Sequence, residues 1–297
     1  MRWESGRRSD NIEDIRGSGG GFGGRGVKIG GLGMVVMFIV ALFLGVDPFA
    51  LMSTVENVGG PPAAPSNQAS RPAPGPGSTT TQPQDEQAQF VSVVLADTED
   101  TWGQIFAAGG KRYRAPKLVM FSGMVQSACG MTSAAAGPFY CPADQKVYID
   151  LDFFRELDRR FGAPGDFARA YVIAHEVGHH VQNLLGVAGQ VQNLQARASE
   201  RQSNALSVRM ELQADCLAGV WGHHANKQRQ LLEPGDAEEG LRAAAAIGDD
   251  TIQSRSTGYV RPESWTHGSS DMRVRWFKRG LESGRIEQCD TFQAAQL

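Results

Sequence analysis

Apolar residues recur at helical spacing in three stretches of the chain. Between the breaker run Phe161 to Gly165 and Gly186, the residues Phe167, Ala170, Tyr171, Ala174, Val177, Val181 and Leu184 repeat with a 3.6-residue period. Asp166 is placed as the N-cap and Gly186 as the stop. Leu206, Met210, Leu217 and Trp221 form the buried side of a second predicted helix, and Phe90, Val93, Val94, Ile105 and Phe106 that of a third, over 86–108. Lys117 to Phe121 and Lys146 to Ile149 are short and β-rich, with Gly-Pro and Cys-Pro pairs between them, which predicts a short antiparallel sheet. The pattern gives an α+β fold, mostly α, over 86–297, long enough for a single core.

The N-terminal third breaks this pattern. Ile29 to Val46 holds 18 uncharged residues, which as a helix span roughly 27 Å, and Phe49 to Met52 extend the run past Asp47-Pro48. No polar face interrupts it and no small-residue cleavage site follows, so 29–52 is expected to be a transmembrane signal anchor. Before it, seven of the ten residues from Gly17 to Gly26 are glycine, and 1–28 is expected to be a flexible cytoplasmic segment. Six basic against four acidic residues there place that side inside by the positive-inside rule. Seven of 14 prolines fall in 59–85, so 53–85 is expected to be a Pro/Gly/Ser-rich linker, and the domain to face the periplasmic or extracytoplasmic side of the cell membrane.

Composition adds little to this: 41% apolar and 21% charged residues are ordinary, and a net charge of −3 without a basic stripe argues against nucleic acid as a partner. Cysteine usage adds more. All four cysteines lie in the C-terminal domain. An even count there fits two disulfides. Three pairings exist; local spacing favours Cys129 with Cys141, leaving Cys216 for Cys289. Zinc ligation by cysteine is the rival, without a C-x-x-C pair to support it.

The chemistry concentrates on the predicted helix 166–186. His175-Glu176-Val177-Gly178-His179 is a His-Glu-x-x-His pattern, and residues four apart on a helix share a face, so both imidazoles can reach one ion. Glu176 is placed as the general base that takes a proton from water. A catalytic zinc site needs a third ligand and an open position. A third histidine six residues past the second is absent, since Leu185 stands there and Gln182 replaces the expected glycine. Glu211 and Asp215, four apart on the second helix, suit a ligand and a carboxylate that orients a ligating histidine. His223 or His224 is a further route, though both sit where a helix dipole favours histidine. His180 points roughly 100° from the ligand face and is assigned a structural role.

The wider string resembles a known group. His175-Glu-x-x-His179 followed by Glu211-x-x-x-Asp215 looks like the gluzincin pattern of zinc peptidases. More closely, the chain resembles the bacterial membrane-anchored neutral zinc metallopeptidases. That resemblance is carried by Gly137-Pro-Phe-Tyr-Cys-Pro-Ala-Asp-Gln145, His175 to Gln182, Glu211-Leu-Gln-Ala-Asp-Cys216, Ala218-Gly-Val-Trp221, Ile247-Gly-Asp-Asp250, Thr266-His-Gly-Ser-Ser270 and Arg273-Val-Arg-Trp-Phe277. At the start it rests on Arg2-Trp3, Arg7-Arg8-Ser9 and Asn11-Ile-Glu-Asp14. The resemblance implies a zincin-like domain hydrolysing peptide or protein substrates, with one zinc per chain on His175, His179 and Glu211, and Asp215 behind them. It also implies a histidine downstream of the glutamate ligand that stabilises the oxyanion. His267 is the first candidate, and Tyr259 and Arg273 follow; Asp249 and Asp250 are read as a cap or turn. Rival readings are an amide hydrolase acting on cell-wall peptide and a silent envelope scaffold. The oligomeric state is left open.

Overall fold

The computed structural model describes residues 1–16 and 83–297. The expected anchor over 29–52, the Gly-rich run and most of the linker lie outside the described residues. Among the described residues, no helix is long and apolar enough to cross a membrane.

Strand β1 (Ile12–Asp14) is followed by helix α1 (Pro83–Ala108), then by strands β2 (Lys117–Phe121), β3 (Met124–Ser127), β4 (Gly130–Ser133), β5 (Phe139–Cys141) and β6 (Lys146–Asp150). The remainder is helical: α2 (Asp152–Arg159), α3 (Asp166–Leu184), α4 (Val187–Gln195), α5 (Glu200–Arg229), α6 (Asp236–Ala246), α7 (Asp249–Thr257) and α8 (Ser270–Ser283). The mostly helical α+β expectation therefore holds. The expected helix starts and stops hold within a residue or two: Asp166 opens α3 with Gly165 as N-cap, and Gly186, at φ 79°, ends it in the left-handed region. Helix α5 is started by a capping box in which Ser199 and Gln202 satisfy each other's backbone N–H groups.

The sheet corrects one expectation. Its order is β1-β2-β6-β5, and β2 pairs with β6 in parallel, Leu118 opposite Val147, rather than antiparallel. The β3–β4 hairpin and β5 lie between them in sequence, and β5 runs back beside β6, turning at Pro142 to Gln145, so the antiparallel partner of β6 is β5. Beyond their first residues, strands β2 and β6 are buried on both faces, as parallel strands usually are. Leu118, Met120, Val147 and Ile149 point into the main core beneath the helices; Val119, Phe121 and Tyr148 pack on the other face with Val125 and Cys141.

A second correction concerns the start of the chain. Residues 1–16, expected to be flexible, pack on the domain. Strand β1 extends the sheet in parallel beside β2, and Trp3 lies edge-on to Phe90 of α1 at 5.3 Å.

The helices surround α3 and α5. Phe167, Tyr171, Trp221 and Phe277 form an aromatic stack where α3, α5 and α8 meet, with Phe167 on Trp221 at 5.8 Å and Tyr171 edge-on to Phe277 at 4.9 Å. Helices α5 and α8 touch backbone to backbone. A Cβ added to Gly219 would lie 2.1 Å from the Phe277 carbonyl oxygen, and one added to Gly280 would lie 1.9 Å from that of Cys216. The disulfide Cys216–Cys289 closes the same junction, and Cys129–Cys141 ties the β3–β4 turn to β5. Both pairings are those expected from the sequence, Cys129–Cys141 by its short spacing and Cys216–Cys289 as the pair that remains.

Gly280→Ala is expected to force α8 off α5 and to lower stability by about 1–3 kcal/mol, the usual cost of overpacking. Thermal unfolding checks this, with a downward shift in Tm as the expected result.

Candidate metal centre

Helix α3 carries two histidines on one face because they are four residues apart, but their approach to α5 depends on Gly178 between them. A Cβ there would sit 3.0 Å from the Ala214 carbonyl oxygen and 3.2 Å from its Cα, tighter than ordinary contact. With hydrogen in its place, α3 lies against α5 and the His175/His179 face meets Glu211 and Asp215. The donor atoms of His175, His179 and Glu211 lie within 4.8 Å of one another, and no other such group of three occurs among the described residues.

The separations suit a common ion. His175 Nε2 lies 3.1 Å from Glu211 Oε2, and His179 Nε2 lies 3.5 Å from Glu211 Oε1. A tetrahedral ion with 2.0–2.1 Å bonds places its ligands roughly 3.3 Å apart. Each histidine is fixed from behind through its other nitrogen. His175 Nδ1 meets Asp215 Oδ1 at 2.8 Å, and His179 Nδ1 meets Gln182 Oε1 at 2.9 Å. Both Nε2 atoms are thereby left for an ion, with the tautomer set from outside.

Asp215 is completely buried. Besides His175 it accepts hydrogen bonds from Tyr171 Oη at 2.6 Å, Arg273 Nε at 2.9 Å and Arg273 Nη2 at 2.9 Å. Burial opposes its ionised form, but Arg273 and His175 outweigh that and hold the carboxyl well below the usual range. Arg273 is equally enclosed; burial works against its charge, and Asp215 together with Tyr171 and Glu211 drives its pKa above the ordinary value. Arg273, weighed from the sequence as an oxyanion donor, also donates to the Ile247 carbonyl at 3.1 Å and to Tyr171 Oη at 3.3 Å.

The pocket favours positive charge. Burial would depress the His175 pKa, yet Asp215 and Glu211 push it up to about 10. Glu211 is held well below its normal value: burial raises it, and His179, His267 and His175 together lower it by more.

A cleft of about 1010 Å³ opens over this cluster. Its lining includes Glu176, His267, Tyr140 of β5, Phe153 and Ile252. Glu176 is 8% exposed and adjoins the histidines on α3. His267, its side chain 41% exposed, is brought to the cleft by the loop before α8. Burial opposes its protonation, whereas Glu211 and Asp249 raise its pKa.

Asp249, set aside in the sequence as a cap, holds that loop. Its Oδ2 accepts the backbone N–H groups of Thr266, His267 and Gly268 at 2.8, 2.7 and 3.0 Å, and its Oδ1 faces His267 Nδ1 at 3.3 Å. Asp250 caps the start of α8 through Ser270. Tyr259 is 76% exposed and does not line the cleft.

The remaining histidines are structural. His180 bridges Tyr140 Oη and the Arg114 carbonyl, and His223 and His224 bond the Leu281 and Gly284 carbonyls. Gln182 is the residue that sequence reasoning missed. Its side chain is buried, it orients His179 and it donates to the Met210 carbonyl at 2.7 Å. Its place three residues beyond His179 on the same helix was the available signal.

Comparison with known proteins follows this geometry. The family model described as "Putative neutral zinc metallopeptidase" matches residues 1–292. "Uncharacterized protein YpfJ" of Escherichia coli (strain K12) is 52% identical over 298 residues, 98% of this chain and 99% of the relative. "Uncharacterized protein Rv2575" of Mycobacterium tuberculosis (strain ATCC 25618 / H37Rv) is 41% identical over 267 residues, 86% of each chain. No solved structure matches.

Gln182→Met is expected to weaken zinc binding roughly 10–100-fold in chelator competition, while Gln182→Glu, which keeps an acceptor for His179 Nδ1, retains most of it. A pH effect is expected from Asp249. Burial raises its pKa, but the His267 side chain and the loop N–H groups lower it by more, so the folded value lies below the ordinary one. Its stabilisation is present above the unfolded value of about 3.9 and is lost as pH falls through the folded value. Between about pH 5 and pH 3, Tm of the parent should therefore fall more steeply than that of Asp249→Asn.

Proposed function

The chain belongs to the neutral zinc metallopeptidase family, and from that premise we propose that it is a zinc-dependent endopeptidase acting on peptide or protein substrates, with one zinc per chain. The observation that carries this reading is the donor set. Two imidazoles and one carboxylate converge, their donor atoms within 4.8 Å of one another, and both imidazoles have their outer nitrogens engaged. His175 Nε2, His179 Nε2 and a Glu211 oxygen would hold the ion beside the cleft that these residues line. When bound, zinc supplies a Lewis acid that polarises the scissile carbonyl and makes water acidic enough to attack near neutral pH.

The chain's own groups supply the rest. Glu176 accepts a proton at a carboxylate oxygen as the water oxygen bonds to the carbonyl carbon. It then delivers that proton to the amide nitrogen as the C–N bond breaks. His267 donates from its imidazole to the developing oxyanion; Asp249, facing Nδ1, leaves Nε2 for that role. Arg273 and Tyr171 keep Asp215 ionised and in place, and through it fix the His175 ring. The cleft of about 1010 Å³ over the site has room for a stretch of peptide chain, which supports cleavage within a chain. The two disulfides support a domain working in an oxidising, extracytoplasmic compartment.

The test is zinc content and peptide hydrolysis of the purified protein. The parent should carry one zinc per chain and cleave an unfolded protein substrate. Glu211→Ala should lose most of the zinc, Glu176→Gln should keep zinc and lose turnover, and His267→Ala should lower kcat roughly 10²–10³-fold with zinc retained. A folded parent that binds no zinc would overturn the reading. Release of wall fragments without cleavage of protein would move the substrate to cell-wall peptide.

A further inference from the structure

The outer edge of β2 and the exposed side of α1 form an interaction surface, and the chain's own first 16 residues fill it. The pairing is extensive. In the sheet, Ile12, Glu13 and Asp14 lie opposite Leu118, Val119 and Met120, and the flanking bonds Leu118 N to Asn11 O and Ile15 N to Met120 O are 2.8 and 2.9 Å. Glu13 reaches across two strands to Lys117 at 2.7 Å and Lys146 at 2.6 Å. On α1, Glu99 collects Arg7, Ser9 and Asn11 at 2.9, 2.5 and 2.8 Å. Gly6 lies so close to α1 that a Cβ would meet Val93 Cγ1 at 2.4 Å. Trp3 is 8% exposed, packs on Phe90 and donates from Nε1 to Asp166 Oδ2 at 3.2 Å, at the first residue of the helix that bears His175 and His179. Backbone pairing, ion pairs and apolar burial agree on one register, which is the mark of a built contact rather than a chance one.

This packing bears on the membrane. A connection that crossed a bilayer once between residue 16 and residue 83 would put β1 and β2 on opposite sides. Exchange of N-terminal segments between copies does not evade this, since every copy would carry the same crossing. We propose that residues 1–16 reside in the same compartment as the metal site, as a permanent edge strand of its sheet. The proposal is independent of whether the site is a peptidase, because it rests on β1, β2 and α1 alone. It also changes what the basic residues near the start do. Arg7 is engaged by Glu99 and Asp100 of α1, so it serves the fold of the domain instead of marking a cytoplasmic side.

The experiment uses the full chain in intact bacterial cells. Ser5→Cys, at an exposed position of the N-terminal segment, and Glu282→Cys, at an exposed position of α8, are each treated with a membrane-impermeant maleimide before and after permeabilisation. The parent chain gives the background from its own four cysteines. Both positions should behave alike, labelling together in intact cells or together only after permeabilisation. Labelling of one in intact cells and of the other only after permeabilisation would overturn the proposal. Glu4→Cys, also exposed, replaces Ser5→Cys if that variant does not accumulate. Trp3→Ala should lower Tm of the purified full chain; an unchanged Tm would show that the segment is not packed on the domain and would equally overturn it.

Discussion

Asp215 is a carboxylate with no exposure to solvent, and a buried charge persists only where partners replace the water it has lost. Carried on α5, it takes its partners from two other helices: Tyr171 and His175 on α3 and Arg273 on α8. The carboxylate therefore dictates how those helices meet. Withdrawal of Arg273 would leave an uncompensated charge in the core, a change that costs about 3–5 kcal/mol in comparable pairs. The contacts that hold α8 in place, Gly219 and Gly280 at the crossing and the Cys216–Cys289 disulfide beside it, serve the same node. Stability of the helical half and orientation of the His175 ring are thus one problem, solved by one residue.

Around that node the charges are arranged in alternation. Arg273 fixes Asp215, Asp215 fixes His175, and His175 and His179 face Glu211. Beyond Glu211 across the cleft stands His267, itself held by Asp249. Each group is thereby paired with a neighbour of opposite charge or a hydrogen-bond partner. The cleft walls also include residues of β5, α4 and α7, which contribute nothing to the His175, His179 and Glu211 cluster.

The N-terminal segment follows a different physical logic. Residues 1–16 add a strand to a sheet edge that would otherwise present unpaired N–H and C=O groups, and they cover the apolar side of α1 at Phe90 and Val93. A segment with this much to satisfy is part of the domain although more than sixty residues separate it from α1 in sequence. Its distance along the chain says nothing about its place in the fold.

The sequence by itself determined what depends on local spacing. The α3 histidines, the carboxylates four apart on α5, the helix stops at glycine and the short-range pairing of Cys129 with Cys141 all follow from the 3.6-residue period or from short loops, and these are read from neighbours in sequence. Tertiary structure alone decided what depends on elements meeting. Strand direction was misjudged because pattern predicts that a strand exists but not its partner, and β5 with the β3–β4 hairpin intervened between β2 and β6. Gln182 and Asp249 looked like a departure from a motif and a helix cap, since their roles require the opposing His179 ring and the 266–268 loop to be in place. The packing of residues 1–16 was hidden by the apolar and glycine-rich run that follows them. Composition reports how readily a segment can fold alone, whereas a strand of three residues is stabilised only by the edge it joins.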